Sequence, residues 1–176
     1  QPVSHPLVPR VIELVRAAGA ATLPYWRSGV AVTEKADASP VTAADLAAHH
    51  ILADGLKALA PDIPVLSEEA ADIPLSERSA WTRWWLVDPL DGTREFVNRN
   101  GEFTVNIALI EHGRPILGVV LAPALDQLYT GSLAGGAFYQ DSSGRHAIRV
   151  RQPAADGMDV LASRSHGDAD ALQRLL

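Results

Sequence analysis

The chain has no cysteine, which excludes disulfides, thiolate zinc sites and Fe–S clusters. A small secreted fold stapled by disulfides goes with them. Positive charge is in deficit: 15 Lys and Arg stand against 21 Asp and Glu, a formal net charge of -6. That sign disfavours non-specific nucleic-acid binding, although a divalent cation can invert the local charge for a small anionic ligand. No apolar run approaches the ~18 residues of a transmembrane helix. Nothing at the start pairs a charged segment with an apolar signal, and there are no internal repeats or low-complexity segments. What is present is ordinary for a globular chain: 47% hydrophobic and 20% charged residues over 176 positions. A chain of this size buries about two-thirds of its unfolded surface. Its length suits one domain, or one and a fraction.

Residues 7–23 read as a helix, with Val11, Leu14, Val15, Ala18 and Thr22 at spacings of three and four, ended by Pro24 and Gly29. A second helix is expected from about Thr42 to Ala60, with a seam of Ala48, Leu52, Leu56 and Leu59. Thr42 to Asp45 is a capping-box pattern in which Asp replaces Glu. Val65-Leu66 and Trp84 to Val87 are short apolar runs, and Phe103 to Leu109 alternates at strand period. Glu111-His112-Gly113-Arg114 reads as a hairpin turn. Further strands follow at Ile116–Leu121, Leu128–Thr130, Ala137–Tyr139 and Ile148–Val150. Two leading helices on one face of this largely antiparallel sheet make an α+β fold. Pro153 to Gly157 reads as a linker, so the expected division is a domain over 1–157 and the start of another over 158–176. That second unit opens with a strand at Val160-Leu161-Ala162 and a helix from Asp168. The chain opens at Gln1 and stops at Leu176 inside this helix, as if a longer protein had been cut.

The densest chemical signal is Val87-Asp88-Pro89-Leu90-Asp91-Gly92-Thr93. If the chain turns helically at Pro89, Asp88 and Asp91 share one side. The alternative is a structural Asx turn, and composition weighs the two evenly. Glu68-Glu69, after a short strand, is an acidic pair that alone reads as solvated. Taken with Asp88 and Asp91 it forms the oxygen-rich set that Mg²⁺ prefers. Two such ions can clamp a phosphoryl group and activate a water. Asp45 serves the capping box, but it also lies on the side of the apolar seam, where a carboxylate needs a partner. His49, His50 and His112 lack ligand spacing and read as surface residues. Trp81, Trp84 and Trp85 read as core. Arg94, Arg99 and Arg114 read as exposed. Gly135-Gly136 is no phosphate loop, since no Gly-Lys-Ser/Thr follows.

Ser67-Glu68-Glu69 with Asp88-Pro89-Leu90-Asp91-Gly92-Thr93 resembles the signature of the Li⁺-sensitive, Mg²⁺-dependent inositol monophosphatase superfamily. The runs Asp37 to Asp45 and Gly92 to Ile110, with Ser163-Arg164-Ser165-His166, resemble the CysQ-type 3'(2'),5'-bisphosphate nucleotidases within it. The resemblance spans nearly the whole chain, in order. It implies the layered α/β sugar-phosphatase fold, with this sequence ending before most of the second domain. It implies Glu68, Asp88 and Asp91 as side-chain ligands of two or three Mg²⁺ ions, and Leu90 as a carbonyl ligand. Asp45 and Thr93 would activate the attacking water, and Glu69 would order the waters at the metals. Gly92 and Thr93 would lie against substrate with the metal ligands, and Ser163 and His166 match a nucleotide-contacting loop. The implied reaction removes the 3'-phosphate of adenosine 3',5'-bisphosphate, and of its sulfated form, in sulfate assimilation. The partner is then a small nucleotide. The implied place is the cytoplasm, with peripheral attachment at the inner membrane's cytoplasmic face. Two rivals stand beside this reading: an inositol monophosphatase-like sugar phosphatase, and an inactive metal-binding fragment.

Overall fold

The computed structural model describes residues 5–28, 40–70, 72–153, 155, 157, 160–163, 173 and 174. Helix α1 (Val8–Ser28) and helix α2 (Pro40–Leu59) precede strand β1 (Val65–Ser67) and the short helix α3 (Leu75–Arg78). Strand β2 (Arg83–Asp91) is followed by α4 (Thr93–Val97), and then by β3 (Thr104–Glu111) and β4 (Arg114–Ala122). Strands β5 (Gln127–Ser132), β6 (Gly136–Asp141) and β7 (Gly144–Ile148) complete a seven-stranded sheet in the order β1 to β7. The expected antiparallel series is β2 to β7, and β1 adds to its edge in parallel with β2. The α+β expectation is met.

Both long helices lie on one face of this sheet. Val11, Val15 and Ala18 from α1, and Ala48, Leu52 and Leu56 from α2, are fully buried against it. The sheet answers with Trp85, Val87, Val105, Ile107, Leu109, Leu117, Val119, Leu121 and Leu128. In β3 the buried residues alternate with half-buried ones, as period two requires. Trp85 alone of the three expected core tryptophans is fully buried; Trp81 and Trp84 are half-buried and pair with each other at 6.4 Å. A second, smaller cluster joins Ala44, Leu90, Phe96 and Phe103. It binds the start of α2 to α4 and to the end of β2. Among the described residues no helix is long and apolar enough to cross a membrane.

Four expectations need correction. Helix α1 does not stop at Pro24 but continues to Ser28. A proline costs only one N–H bond there, and Trp26, packed on Phe103 at 5.9 Å, holds the last turn against the second cluster. Helix α2 starts at Pro40, so Thr42 sits inside its first turn and is not a cap. Proline suits a first helical position because its missing N–H has no partner there anyway. No strand forms at Val160-Leu161-Ala162, where Leu161 is almost fully exposed, because no described strand pairs with it. Strand β7 ends at Ile148, leaving Arg149 and Val150 outside the ladder.

The hairpin at Glu111 to Arg114 forms as expected. His112 and Gly113 both take positive φ (49° and 75°), the two-residue turn that matches strand twist.

Candidate functional site

The segment Asp88 to Asp91 does not turn helically. Strand β2 runs through Pro89, and its register against β3 shifts between Asp88, opposite Asn106, and Asp91, opposite Thr104. Three steps along β2 match two along β3, so one extra residue is inserted. Residues three apart in a regular strand face opposite sides. The extra residue cancels that offset and brings Asp91 near enough to raise the pKa of Asp88. Proline is tolerated at such a break because the ladder needs no N–H there. The chain then reverses at Gly92, with φ 88° and ψ 48°. A Cβ at that position would lie 3.2 Å from both the Glu102 carbonyl and Phe103 Cα, so only glycine fits without strain. Thr93 begins α4 immediately after it.

The acidic pair reaches the same place from β1. Ser67, the last residue of β1, is buried, and the Glu68 N–H donates to the Val87 carbonyl at 3.1 Å. The Ala70 N–H closes a tight turn on the Ser67 carbonyl at 3.1 Å. Glu68 and Glu69 are therefore held at the turn beside the residue that precedes Asp88. Asp45 arrives from α2, one position after fully buried Ala44.

Electrostatics show that these carboxylates share one space. Asp45 is pushed up to about 8 by burial first, then by its hydrogen bond to Glu69 and the charges of Glu69, Asp88 and Glu68. Asp88 is pushed up to about 6 by burial and the charges of Glu68 and Asp91, opposed only by the Leu90 N–H. Even so, Oδ1 of Asp88 and Oδ1 of Asp45 are buried and have no hydrogen-bond partner. The ion pairs Arg10–Glu13, Arg16–Asp126 and Arg83–Glu111 use none of the five acids. Among the described residues no three acidic or histidine side chains are grouped to hold one metal ion as they stand. The two orphaned oxygens nevertheless fit a hard cation, which takes oxygen ligands and relieves like-charge repulsion.

The other candidates are placed less closely. Leu90 buries its side chain in the second cluster. Thr93 is exposed, and Asp45 bonds Glu69 in this structure, although α2 and α4 do pack together. Ser163 is exposed, and His166 lies outside the described residues. His50 and His112 are exposed as expected, and Arg94, Arg99 and Arg114 are too. The Arg99 guanidinium is tied to the Arg27 carbonyl at 3.1 Å. His49 corrects its expectation: it is half-buried, and its Nδ1 shares a 2.8 Å hydrogen bond with Ser67 Oγ. Only its position one turn after Asp45 hinted at this.

A pH effect follows from Asp45. Its folded pKa lies above the unfolded carboxylate value, so its contribution to stability is full below about pH 4 and lost as pH rises through about 8. Asp45→Asn mimics the protonated acid. In chelator, the variant is expected to melt with the wild type at about pH 4 and above it at about pH 9. A melting difference independent of pH would contradict the raised pKa.

A model of the inositol monophosphatase family matches residues 5–174. The chain belongs to the inositol monophosphatase family. Its relatives include the 3'(2'),5'-bisphosphate nucleotidase CysQ of Shigella flexneri, 52% identical over 172 residues, which cover 96% of this chain and 68% of that protein. The CysQ of Escherichia coli strain K12 is 51% identical with the same coverage. Among solved structures, CysQ from Bacteroides thetaiotaomicron superposes with a TM-score of 0.75 at 36% identity, covering 94% of this chain and 65% of that one. An inositol monophosphatase from Zymomonas mobilis gives 0.67 at 28% identity, covering 82% and 52%. The chain thus spans about two thirds of the CysQ proteins it matches and half of the monophosphatase. Enzymes of the family are phosphatases that depend on a divalent metal, typically Mg²⁺.

Proposed function

We propose that this chain carries the metal-binding part of a Mg²⁺-dependent 3'(2'),5'-bisphosphate nucleotidase of the cytoplasm. Its substrates in this reading are adenosine 3',5'-bisphosphate and the sulfated form, and its place is sulfate assimilation and nucleotide recycling. The carrying observation is the convergence of Asp45, Glu68, Glu69, Asp88 and Asp91 from three separate segments, with two buried carboxylate oxygens unpartnered. The level of identity to CysQ proteins favours the nucleotide over an inositol phosphate.

Glu68, Asp88 and Asp91 would hold two or three Mg²⁺ ions through side chains, and Leu90 would contribute its carbonyl. When bound, the metal supplies a charge clamp on the phosphoryl oxygens and a water of lowered pKa. The residues of this chain do the rest. Asp45 Oδ1 accepts the proton of the attacking water, relayed by the Thr93 hydroxyl. Glu69, the hydrogen-bond partner of Asp45, keeps that carboxylate oriented. Gly92, Thr93, Ser163 and His166 contact substrate. Water oxygen bonds to phosphorus, the bond to the 3'-oxygen breaks, and that oxygen takes a proton from solvent water while Asp45 returns its proton to solvent. No protein nucleophile is needed, because phosphoryl transfer depends on positioning and charge.

In the full-length enzyme, kcat/KM with Mg²⁺ is expected to be higher for adenosine 3',5'-bisphosphate than for inositol 1-phosphate, and millimolar Li⁺ is expected to inhibit. Phosphate release on both substrates checks this. A reversed preference would move the assignment to the inositol monophosphatase reading, which the Zymomonas mobilis structure keeps open. Mg²⁺ must also compete with protons for Asp88. Its effect on the melting temperature is expected to grow from about pH 5 to about pH 8.

A further inference from the structure

Helix α2 delivers two polar side chains to the inner side of the fold. Asp45 and His49 are four residues apart, so they lie one above the other on one helical face. Both are half-buried, beside fully buried Ala44 and Ala48. Asp45 meets the carboxylate cluster. His49 Nδ1 meets Ser67 Oγ at 2.8 Å.

Ser67 is not an arbitrary neighbour. It is only 2% exposed at the end of β1, and its carbonyl accepts the Ala70 N–H that closes the acidic turn. It also pairs with Ala70 as an antiparallel bridge. Glu68 and Glu69 are the two residues inside that turn. The backbone of the turn is fixed to β2 by Glu68 N–H. Its side-chain hydrogen bond to α2 at this level runs through His49. Half-buried polar groups gain from being paired, because an unpaired one retains its desolvation cost. The His49–Ser67 bond therefore sets the spacing between the helix that carries Asp45 and the turn that carries Glu68 and Glu69.

We propose that His49 is a positioning residue: through Ser67 it locks the Glu68-Glu69 turn against the Asp45 face of α2 and so sets the geometry in which the carboxylates take a divalent cation. The inference rests on the metal reading of the cluster given above. His49 itself touches no reacting atom. Partners of this kind, one bond removed from the ligands, are worth about ten- to a hundredfold in metal affinity.

The test uses the 176-residue chain with Mg²⁺ as the probe, its affinity taken from melting shifts over a Mg²⁺ titration and from calorimetry. His49→Ala is expected to weaken Mg²⁺ binding about tenfold. Ser67→Ala is expected to do the same, and the double variant to be no worse than either single one, because both remove one bond. His49→Asn, whose amide can stand where Nδ1 stands, is expected to restore most of the affinity. Equal Mg²⁺ affinity in His49→Ala and the wild type, with only the metal-free melting temperature lowered, would reduce His49 to a packing residue and overturn the inference. Additive losses in the double variant would overturn it as well. If His49→Ala does not fold, Ser67→Ala and His49→Asn decide on the same measure. No Mg²⁺ binding by the wild type at any pH would instead remove the metal reading, and this inference with it.

Discussion

Asp88→Asn and Asp91→Asn are each expected to lower kcat of the full-length enzyme by on the order of a thousandfold, with the fold unchanged. The argument starts from charge. Asp88 stands where burial and the charges of Glu68 and Asp91 raise its pKa, a cost that the native protein carries with one carboxylate oxygen unpartnered. Replacing the carboxylate with an amide relieves that cost, so the metal-free variant should be no less stable than the wild type. It also removes a formal charge from a hard-cation site, which amides serve poorly in comparison. A misplaced ion removes several kcal/mol of charge stabilisation at the phosphoryl group. At about 1.4 kcal/mol per factor of ten, the loss reaches about three decades. Steady-state kinetics and a thermal melt together check it. Near-normal turnover in either variant would favour the structural reading of Asp88 over the metal-binding one.

The second large effect concerns these 176 residues on their own. They span about two thirds of the CysQ relatives. A polypeptide of this length is expected to fold its sheet and two helices, to bind Mg²⁺ weakly, and to release phosphate from adenosine 3',5'-bisphosphate at least about a thousandfold more slowly than the full-length enzyme. The sheet and its two helices share one core, from Val11 on α1 to Leu128 on β5. The site is different. The five acids all lie on one rim, and a phosphoryl group needs charge and positioning from more than one side. A phosphate-release assay on the isolated chain decides. Turnover within about tenfold of the full-length enzyme would mean that this rim suffices.

The fold was legible where the periodicity was strong. Val11, Val15 and Ala18, and Ala48, Leu52 and Leu56, form seams that only a helix brings to one side, and β3 alternates over its whole length. Boundaries failed where a local signal met packing. Pro24 reads as a stop, but Trp26 on Phe103 carries the helix past it. A helical turn at Pro89 would put Asp88 and Asp91 on one side, but β2 runs through Pro89 with one inserted residue instead. Helix α4 is five residues long, too short to show a period. The acids Glu68, Glu69, Asp88 and Asp91 were legible as a cation-binding set, but the catalytic roles of Asp45 and Thr93 came only from the family pattern, since the segments have no fixed spacing. His49 reads as surface because its partner, Ser67, is distant in sequence, and only its place one turn after Asp45 marks it.

The strict order of the strands in the sheet bears on how the molecule assembles. From β2 to β7 every strand pairs with its neighbour in sequence, and from β3 to β7 each ladder closes a loop of only a few residues before the next begins. Such local closures cost little chain entropy and are fast. The β1–β2 pair is the exception: it is parallel and needs a crossover, here the stretch that includes α3. The acidic rim is built at that exception, from the start of α2, the end of β1 and the end of β2. The meander should therefore zip up first and the rim should be the last part to form. Pulse-labelled amide exchange during refolding is expected to protect Ile107, Val119 and Thr130 before Leu66 and Ser67, and the reverse order would refute it. A late-forming rim brings like charges together only once a finished scaffold can hold them there, so early intermediates are spared that repulsion.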